Sequence, residues 1–593
     1  MSHSADKKNS VLGIDLGTTN SAAAIFQHPA PIIIPSAEGQ SEEGKMFPSV
    51  VAFVPDGTLL VGQLAKRQLA INPKGTIFEI KRKMGTDYKI EIQGKTYAPE
   101  QISAFILQKI KKDADLFVGS EIKEAVITVP AYFNDNQRQA TIDAGEIAGL
   151  SVLRIINEPT AACLAYGLDR IKADDVLKAM VFSFGGGTHD VTIMDIKGDT
   201  FRVIATSGDT QTGGTDIDNA IVERLSAHFE ESTGVDIRSD QAAYVRLKEA
   251  AEDAKIKLSS HIATNIDIPF LVDVDGPKHL QYTLTQSELE KLALPIVSRV
   301  ESTIKTVLYD SRIGPDEIDR LILIGGQTRM PLVRHVVEHF IGKVAEVGVD
   351  PMECVALGAA IQGAILKGQL DYHLLDVTPL SLGVENAAEM MTRVIERNMP
   401  IPTSRTQIFT TAKDDQVEVT VHILQGERAM ASDNISIGIF DLEGIPPRRR
   451  GIPQIEVTFE VDANGILHVS AKEKISGVKQ TVTITGRTRL AEEEKRRMVE
   501  DAELFVGIDH ALKEKAKISR TADLVLYRAE RLKKEPILPS GAKGEIGKAI
   551  LELNRVVGEI DSSGSFDEVR TKIIELTDLL EQMTELYQIV EGL

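Results

Sequence analysis

The feature that most limits the fold of this chain is a set of three glycine-rich turns, each directly after a short apolar run. The turns occupy residues 13–21, 183–190 and 324–329. Glycine lets the backbone turn tightly, so that successive N–H groups can converge on an anion such as phosphate. A single turn of this kind is also common in a plain β-hairpin. Three of them favour a phosphate-binding α/β domain, in which the carboxylates of Asp15 and Asp190 could hold a hydrated Mg²⁺.

The periodicity of the apolar residues divides the chain into regions. From about residue 11 to residue 368, strand-like runs alternate with helical patterns, which is the signature of an α/β domain. The helical patterns cover residues 100–116, 136–148 and 286–308. From residue 377 to about 487 the period becomes two, which predicts antiparallel strands, with a hairpin turn at 462–465. From residue 490 onward the pattern is helical.

Charge and composition exclude several classes of partner. The 593 residues include 67 Lys and Arg against 87 Asp and Glu, a net charge of −20. Such an acidic chain is a poor match for a nucleic-acid backbone, and an aromatic content of 5% without Trp offers few stacking platforms for RNA. No apolar run approaches the roughly 18 residues that a membrane span needs. We therefore expect a cytoplasmic protein with no nucleic-acid and no membrane partner.

Further motifs carry a resemblance to a known family. Residues 129–135, 156–162, 375–383 and 424–428, with the first two glycine-rich turns, resemble the seventy-kilodalton heat-shock chaperone family (DnaK type). The similarity runs in order from residue 11 to about 505 and more loosely to the end. Actin-like filament proteins and sugar kinases share such turns, but they lack the β and helical regions that follow here.

The resemblance implies a fold and a division into domains. The fold is an α/β actin-like two-lobed ATPase domain, followed by an antiparallel β-sandwich that binds substrate and by an α-helical lid. The corresponding boundaries are 1–370 for the nucleotide-binding domain, 371–377 for the interdomain linker, 378–488 for the sandwich and 489–593 for the lid.

The resemblance also implies a function, cofactors and partners. Members of the family are ATP-dependent molecular chaperones that bind and release unfolded, extended hydrophobic segments, with slow ATP hydrolysis gating peptide affinity. The expected cofactors are ATP or ADP with Mg²⁺, and K⁺ is a further candidate. The expected partners are unfolded client polypeptides, a nucleotide exchange factor and a J-domain co-chaperone, whose contact matches Arg154 and Asp376.

The resemblance assigns roles to individual residues of the nucleotide site. Lys81 matches the lysine that approaches the γ-phosphate, Glu158 lies near the attacking water, and Thr188 can orient a water. Asp15 and Asp190 match carboxylates of the Mg²⁺ water shell and complete the catalytic set. The expected nucleotide-binding residues are Gly17, Thr18, Thr19, Gly185, Gly186, Gly187, Thr188, Gly214, Glu252, Lys255, Ser259, Gly325, Gly326 and Arg329. A helix would place Glu252, Lys255 and Ser259 on one face, although the first two could equally form an ordinary exposed ion pair.

The peptide-binding residues are implied in the same way. Val384, Phe409 and Val419 match residues that line a groove for an extended chain. Ala387 and Ala412 match the pair that arches over the bound peptide. The groove residues could equally be core residues, as inward-facing strand positions often are. The run of arginines at 448–450 is most simply a solvated loop.

The second glycine-rich turn departs from the family pattern. Ser183 stands where the motif begins with Asp, so one carboxylate of the metal site is missing. Phe184 and His189 also replace commoner residues, and we expect His189 to be structural. Ser183 motivates an alternative function, a nucleotide-gated peptide holder with impaired hydrolysis. A third hypothesis, an actin-like filament former, predicts nucleotide-dependent polymers and no peptide affinity.

Overall fold

A computed structural model describes residues 10–37, 45–167, 176–348, 350–386, 388–463 and 465–483. Nearer the C-terminus it describes residues 518, 521–522, 525–526, 528–530, 532–534, 538–558 and 567–591. The chain divides into two compact units, Met1–Val499 and Glu500–Leu593. No helix within these described ranges has the length and the apolar character that crossing a membrane requires.

The strands in the first part of the larger unit are β1 (Val11–Asp15), β2 (Asn20–Gln27), β3 (Ala30–Ile33), β4 (Phe47–Pro48), β5 (Val51–Phe53), β6 (Leu59–Val61), β7 (Thr76–Ile77), β8 (Ile90–Ile92), β9 (Lys95–Tyr97), β10 (Glu124–Val129) and β11 (Ser151–Asn157). A mixed sheet with strand order β11–β10–β1–β2–β3, with β4 paired to β2, forms the centre of this part. Its helices are α1 (Gln63–Lys66), α2 (Pro99–Val118), α3 (Asp135–Ile147) and α4 (Glu158–Gly167). A short 3₁₀ helix, Ile80–Lys83, carries Lys81.

The strands in the next part are β12 (Val176–Phe184), β13 (His189–Lys197), β14 (Thr200–Asp209), β15 (Ala263–Asp273), β16 (Pro277–Thr285), β17 (Arg320–Ile324) and β18 (His373–Leu375). This part has a similar architecture, built around a sheet with strand order β17–β12–β13–β14–β18. Its helices are α5 (Gly214–Thr233), α6 (Gln241–Lys257), α7 (Gln286–Ser311), α8 (Pro331–Ile341) and α9 (Cys354–Leu366). The mixed α/β content agrees with the predicted two-lobed ATPase class.

The strand pairing brings the glycine-rich turns to corresponding places in the two sheets. β1 runs parallel to β10 and antiparallel to β2, with the first turn between β1 and β2. β12 runs parallel to β17 and antiparallel to β13, with the second turn between β12 and β13. Each sheet therefore ends in a hairpin loop that follows a buried strand.

Small residues allow helix α9 to lie directly on strand β1. A Cβ atom placed on Gly13 would be 2.1 Å from the backbone nitrogen of Ala360. Ala359 and Ala360 on the helix are fully buried at this contact. The strand that ends in the first turn is thus fixed by backbone-to-backbone packing, which leaves no room for a side chain.

Two antiparallel sheets follow, with strand orders β20–β19–β22–β23 and β21–β24–β25–β26. Their strands are β19 (Leu382–Glu385), β20 (Met391–Ile395), β21 (Thr403–Phe409), β22 (Glu418–Gln425), β23 (Ile435–Glu443), β24 (Ile455–Val461), β25 (Leu467–Glu473) and β26 (Lys479–Thr483). Alternate residues of both sheets form one core, including Val421 and Leu442 from the first and Val457 and Val469 from the second. We call this part of the chain, residues 378–483, the paired-sheet region.

The smaller unit is helical where it is described. Helices α10 (Ser540–Gly558) and α11 (Asp567–Glu591) share a core that includes Leu553 and Leu576. The predicted boundary at 488/489 lies outside the described residues.

Candidate active site

A cavity of about 470 Å³ lies between the two hairpin loops. Its wall contains most of the residues assigned from the sequence: Asp15, Gly17, Thr18, Thr19, Lys81, Glu158, Ser183, Gly185, Gly186, Thr188, Glu252, Lys255, Ser259, Gly325, Gly326 and Arg329. Gly187, Asp190 and Gly214 do not line the cavity. The carbonyl of Gly214 accepts a hydrogen bond at 3.2 Å from Nζ of Lys255, which does line the cavity.

The first loop is held in a fixed shape by hydroxyl groups. The Gly17 N–H donates to Ser21 Oγ at 3.2 Å, and Ser49 Oγ donates to the Gly17 carbonyl at 2.8 Å. A Cβ atom on Gly17 would lie 1.9 Å from the carbonyl oxygen of Asn20, so a larger residue would force this turn open.

The second loop approaches the first so closely that a side chain at Gly186 would require Thr19 to move. In the β12–β13 hairpin Ser183 pairs with Asp190, and the Gly185 N–H donates to the Thr188 carbonyl at 3.0 Å. A Cβ atom on Gly186 would lie 2.1 Å from Thr19 Oγ1. The two loops therefore bring backbone N–H groups and threonine hydroxyls to one space, as binding of a chain of phosphates requires.

A buried ion pair stands beside the loops. Lys81 Nζ lies 2.6 Å from Glu158 Oε1, and the two side chains are only 7% and 12% exposed. Glu158 is the first residue of α4, directly after β11 ends at Asn157. Because the local dielectric is low, the lysine charge would act strongly on negative charge that develops in the cavity.

Two carboxyl groups next to this pair are strongly perturbed. Burial, and then the nearby Glu158 carboxylate, raise the pKa of Asp15 to about 7. The same two causes raise the pKa of Asp190 to about 8. Asp190 Oδ1 accepts from the Tyr132 N–H at 3.2 Å, while its buried Oδ2 has no partner among the described residues. Such an unsatisfied buried carboxylate oxygen fits a role in the water shell of a Mg²⁺ ion, which would supply the missing positive charge.

The raised pKa values predict a pH-dependent stability of the chain without nucleotide or metal. A carboxyl group whose pKa is raised by folding favours the folded state below its unfolded pKa of about 4, and this stabilisation is lost as the pH rises through about 7 for Asp15 and about 8 for Asp190. We expect the melting temperature to fall between about pH 4 and about pH 8 and to level off at higher pH. Asp190→Asn should remove much of this fall, and the exposed Asp267→Asn should not. Equal slopes in the wild type and Asp190→Asn would contradict the prediction.

The pairing of Glu252 and Lys255 in the cavity wall differs from the arrangement expected from the sequence. Glu252 and Lys255 do not pair with each other, so the exposed ion-pair alternative is wrong. Lys255 Nζ lies 2.7 Å from Asp218 Oδ1, and Lys66 Nζ lies 3.4 Å from Glu252 Oε2. Ser259 lies beyond the end of α6 at Lys257, although it still contributes to the wall. Arg329 reaches the cavity while paired with Asp350 at 3.0 Å.

His189 and Ser183 occupy different positions at the second loop. His189 Nε2 lies 2.8 Å from Thr303 Oγ1, and burial lowers the pKa of the imidazole. Its ring packs edge-on against Phe184, with ring centroids 5.9 Å apart. Ser183 is buried in the cavity wall, on the side of the carboxyl groups. The histidine is therefore part of the packing behind the loop, whereas the serine lines the cavity.

Sequence reasoning missed part of the wall. Thr215 and Asp218, both on α5, line the cavity. The N–H groups of Gly214 and Thr215 donate to the carbonyls of Gly185 and Gly186 at 2.9 and 2.8 Å, which docks the start of α5 on the second loop. A signal was present in the sequence, because Gly213-Gly214-Thr215 repeats the Gly-Gly-Thr triplet of residues 186–188.

The predicted peptide-binding residues lie in the paired-sheet region. Val384 is buried, and Phe409 and Val419 are partly buried against the shared core. Ala412 is exposed on the loop after β21. Ala387 lies outside the described residues. This burial agrees with both the groove and the core interpretation, so the assignment stays a prediction.

Two glycine-rich loops, a buried Lys–Glu pair and two perturbed carboxyl groups around one cavity are typical of proteins that hydrolyse nucleoside triphosphates. Comparison with known proteins gives the family. A family model described as Hsp70 protein matches residues 11–588. The chain therefore belongs to the Hsp70 family, whose members are chaperones and ATPases that hydrolyse ATP to drive chaperone function.

Curated relatives agree with this assignment. The chaperone protein DnaK of Methanothermobacter thermautotrophicus is 52% identical over 585 residues, which cover 98% of this chain and 97% of that protein. The DnaK of Picrophilus torridus is 51% identical over 583 residues, covering 98% and 94%. The DnaK of Elusimicrobium minutum is 54% identical over 528 residues, covering 88% and 85%. The recognition made from the motifs is thus confirmed, as is the ATPase class.

Proposed function

We propose that this protein binds and releases extended hydrophobic segments of unfolded polypeptides in a cycle gated by ATP. The observation that carries the proposal is a path of contacts from the Lys81–Glu158 pair to the paired-sheet region. Asn157 directly precedes Glu158, and its side-chain amide donates to Asp376 Oδ2 at 2.9 Å. Asp376 lies just before the paired-sheet region, so a rearrangement around Glu158 can reach that region through this hydrogen bond.

Further contacts support communication between the two parts. The N–H of Asp135 donates to Gln425 Oε1 at 2.9 Å, and Arg154 Nη2 donates to the carbonyl of Ala463 at 3.0 Å. The segment His373–Leu375 adds a parallel strand to β14, in the sheet that carries the second loop. A ligand that alters the loops can shift the position of the paired-sheet region only if these contacts differ between nucleotide states.

In this proposal the parts of the chain have separate tasks. Residues 1–370 bind nucleotide, 371–377 form the linker, 378–488 form a β-sandwich that grips the client near Val384, Phe409 and Val419, and 489–593 form a lid. Asp15 and Asp190 bind Mg²⁺ through its water ligands, and K⁺ is a further proposed ion. A J-domain co-chaperone at Arg154 and Asp376 and a nucleotide exchange factor are the proposed protein partners, and the cytoplasm is the proposed location.

The proposal is tested by the release of a fluorescent peptide with a leucine-rich core. We expect release from the ATP-loaded chain to be at least about tenfold faster than from the ADP-loaded chain, since coupling energies of about 1–3 kcal/mol are usual. Equal release rates with both nucleotides would overturn the proposal. Peptide release is measured immediately after ATP is mixed with the chain, before the bound ATP is hydrolysed.

The alternative, a peptide holder with impaired hydrolysis, rests on Ser183 alone. A serine hydroxyl in the cavity wall can accept a hydrogen bond from a metal-bound water but contributes no charge. Single-turnover hydrolysis of pre-bound ATP separates the two hypotheses. A rate equal to spontaneous hydrolysis, restored by Ser183→Asp, would favour the holder, whereas measurable turnover in the wild type would exclude it.

A further inference from the structure

Two exposed histidines lie one turn apart on helix α8. His335 and His339 are four positions apart, so their side chains share one face of the helix, one above the other. Their rings are stacked, with centroids 5.9 Å apart and planes inclined by 14°. Neither ring forms a hydrogen bond or an ion pair with another residue of the described part of the chain. The ring nitrogens are therefore available to a ligand.

The opposite face of α8 is anchored in the protein core. Val333, Val337 and Ile341 are buried in the apolar cluster beneath this helix. The ends of the helix are also well defined, because Pro331 occupies the first turn and Gly342 follows the last turn with a φ of 70°. The helix therefore holds the two histidine Cα atoms at a fixed separation. Only the side-chain torsions of the pair remain free to adjust to a ligand.

The separation of the two rings is close to what a shared metal ion requires. Imidazole nitrogens bind Zn²⁺ at about 2.0–2.1 Å, so two of them at about 90–109° around one ion would place the ring centroids roughly 4.5–5.3 Å apart. The observed 5.9 Å exceeds this range by little, and rotation of two exposed side chains can close the gap. Histidines at positions i and i+4 of a helix bind zinc in this way in other proteins.

Residues 335–339 also have the H-x-x-E-H pattern of one class of zinc enzymes, but the glutamate is not free here. Glu338 Oε1 accepts from Arg334 Nε and from the N–H of Ala345, both at 2.9 Å. In the described part of the chain no group of three or more His, Cys, Asp or Glu side chains is arranged to hold a metal ion. This turn of α8 therefore offers two imidazole ligands, which favours metal binding without hydrolysis.

We propose that His335 and His339 form a surface site for a divalent transition-metal ion of the Cu²⁺, Ni²⁺ and Zn²⁺ class. Neutral imidazole suits these ions, whereas Mg²⁺ prefers oxygen ligands, so the site differs in chemistry from the nucleotide cavity. Among the three ions Cu²⁺ should bind most tightly, following the usual order of affinities. Two protein ligands leave the remaining coordination positions open to water or to a second molecule. The inference does not depend on the proposed function.

The test uses Cu²⁺–iminodiacetate as the probe on the full chain without nucleotide. The chelator fills part of the copper coordination and leaves positions that two adjacent imidazoles can occupy. Electron spin echo envelope modulation counts the imidazoles bound to copper, and we expect two in the wild type. His335→Ala and His339→Ala should each weaken binding about 100-fold, because the second imidazole acts at a high effective concentration once the first is bound. The double variant should bind about as weakly as either single variant.

The matched control removes a histidine that has no neighbour of its kind. His261 is exposed and no other histidine lies within four positions of it, so His261→Ala should bind copper as the wild type does. Every variant keeps His3, so copper bound near the N-terminus cannot produce a difference between variants. Alanine suits an exposed helix face, and equal melting temperatures without metal show that the variants are folded. If either single variant kept more than about a third of the wild-type affinity, or if the spin echo showed only one imidazole, the inference would be overturned.

Discussion

Replacing Lys81 by Met is expected to lower the rate of single-turnover ATP hydrolysis at least about 100-fold, while ATP affinity changes by about threefold or less. The Lys81 ammonium lies in the cavity wall and pairs with Glu158 at 2.6 Å in a nearly buried position. In the proposed function, a charge placed there stabilises the negative charge that develops on the transferring phosphoryl group more than it stabilises bound ATP, and a 100-fold loss corresponds to about 2.7 kcal/mol. Rapid mixing of pre-bound labelled ATP measures the step directly.

Two controls accompany this prediction. Met keeps the length of the lysine stem, so a loss of activity cannot be assigned to a cavity in the packing. Lys89→Ala removes an exposed positive charge from the same part of the chain and should hydrolyse ATP at the wild-type rate. If Lys81→Met retained more than about a third of the rate, the lysine would have only a structural role.

Local chemistry made much of this molecule predictable from its sequence. The predicted helices 100–116, 136–148 and 286–308 correspond to Pro99–Val118, Asp135–Ile147 and Gln286–Ser311. Each depends on apolar spacing within a single segment, and α3 also begins with a capping box at Asn134 and Gln137. The glycine-rich turns were equally predictable, because the tight backbone conformation that requires glycine is determined within the turn itself.

Partners that are distant in the sequence were not predictable in this way. Spacing along a helix suggests that Glu252 can pair with Lys255, but folding brings Asp218 to the lysine and Lys66 to the glutamate. A long-range partner prevails because helix α5 docks on the second loop and holds Asp218 in a nearly buried position. Single-segment patterns contain no information about which of two competing carboxylates lies closer.

The linker shows the same limit. Its residues resemble a connecting segment, yet His373–Leu375 forms a strand paired with β14, and Asp376 is buried beside Asn157. Burial raises the pKa of Asp376, while Arg138 and Arg154 oppose that effect. A three-residue strand has too few positions for a period to be recognised, so only the neighbouring sheet determines its structure.

Replacing Asp310 by Ala is expected to remove most of the ATP effect on peptide release. Asp310 lies near the end of α7, is 10% exposed, and accepts from Arg397 Nη2 at 2.7 Å. It also accepts from the amide of Asn398 at 3.2 Å, and Asn398 Oδ1 accepts from the N–H of Thr206 at 3.0 Å. These contacts join β14 and α7 to the segment just after β20. Losing them should destabilise the arrangement that these contacts hold, which we expect the ATP-loaded chain to adopt, by about 2 kcal/mol, roughly 30-fold in its population.

Stopped-flow release of a labelled peptide measures this effect. We expect release from the ATP-loaded Asp310→Ala chain to slow about 10- to 30-fold toward the ADP rate, with release from the ADP-loaded chain unchanged. Asp316→Ala removes an exposed carboxylate a few residues away and should behave as the wild type. Exchanging the two charges, with Asp310→Arg and Arg397→Asp together, should recover part of the ATP effect if the ion pair itself matters. An Asp310→Ala chain that still releases peptide rapidly with ATP would show that the docked contacts do not transmit the nucleotide signal, even if every residue of the cavity acts as proposed.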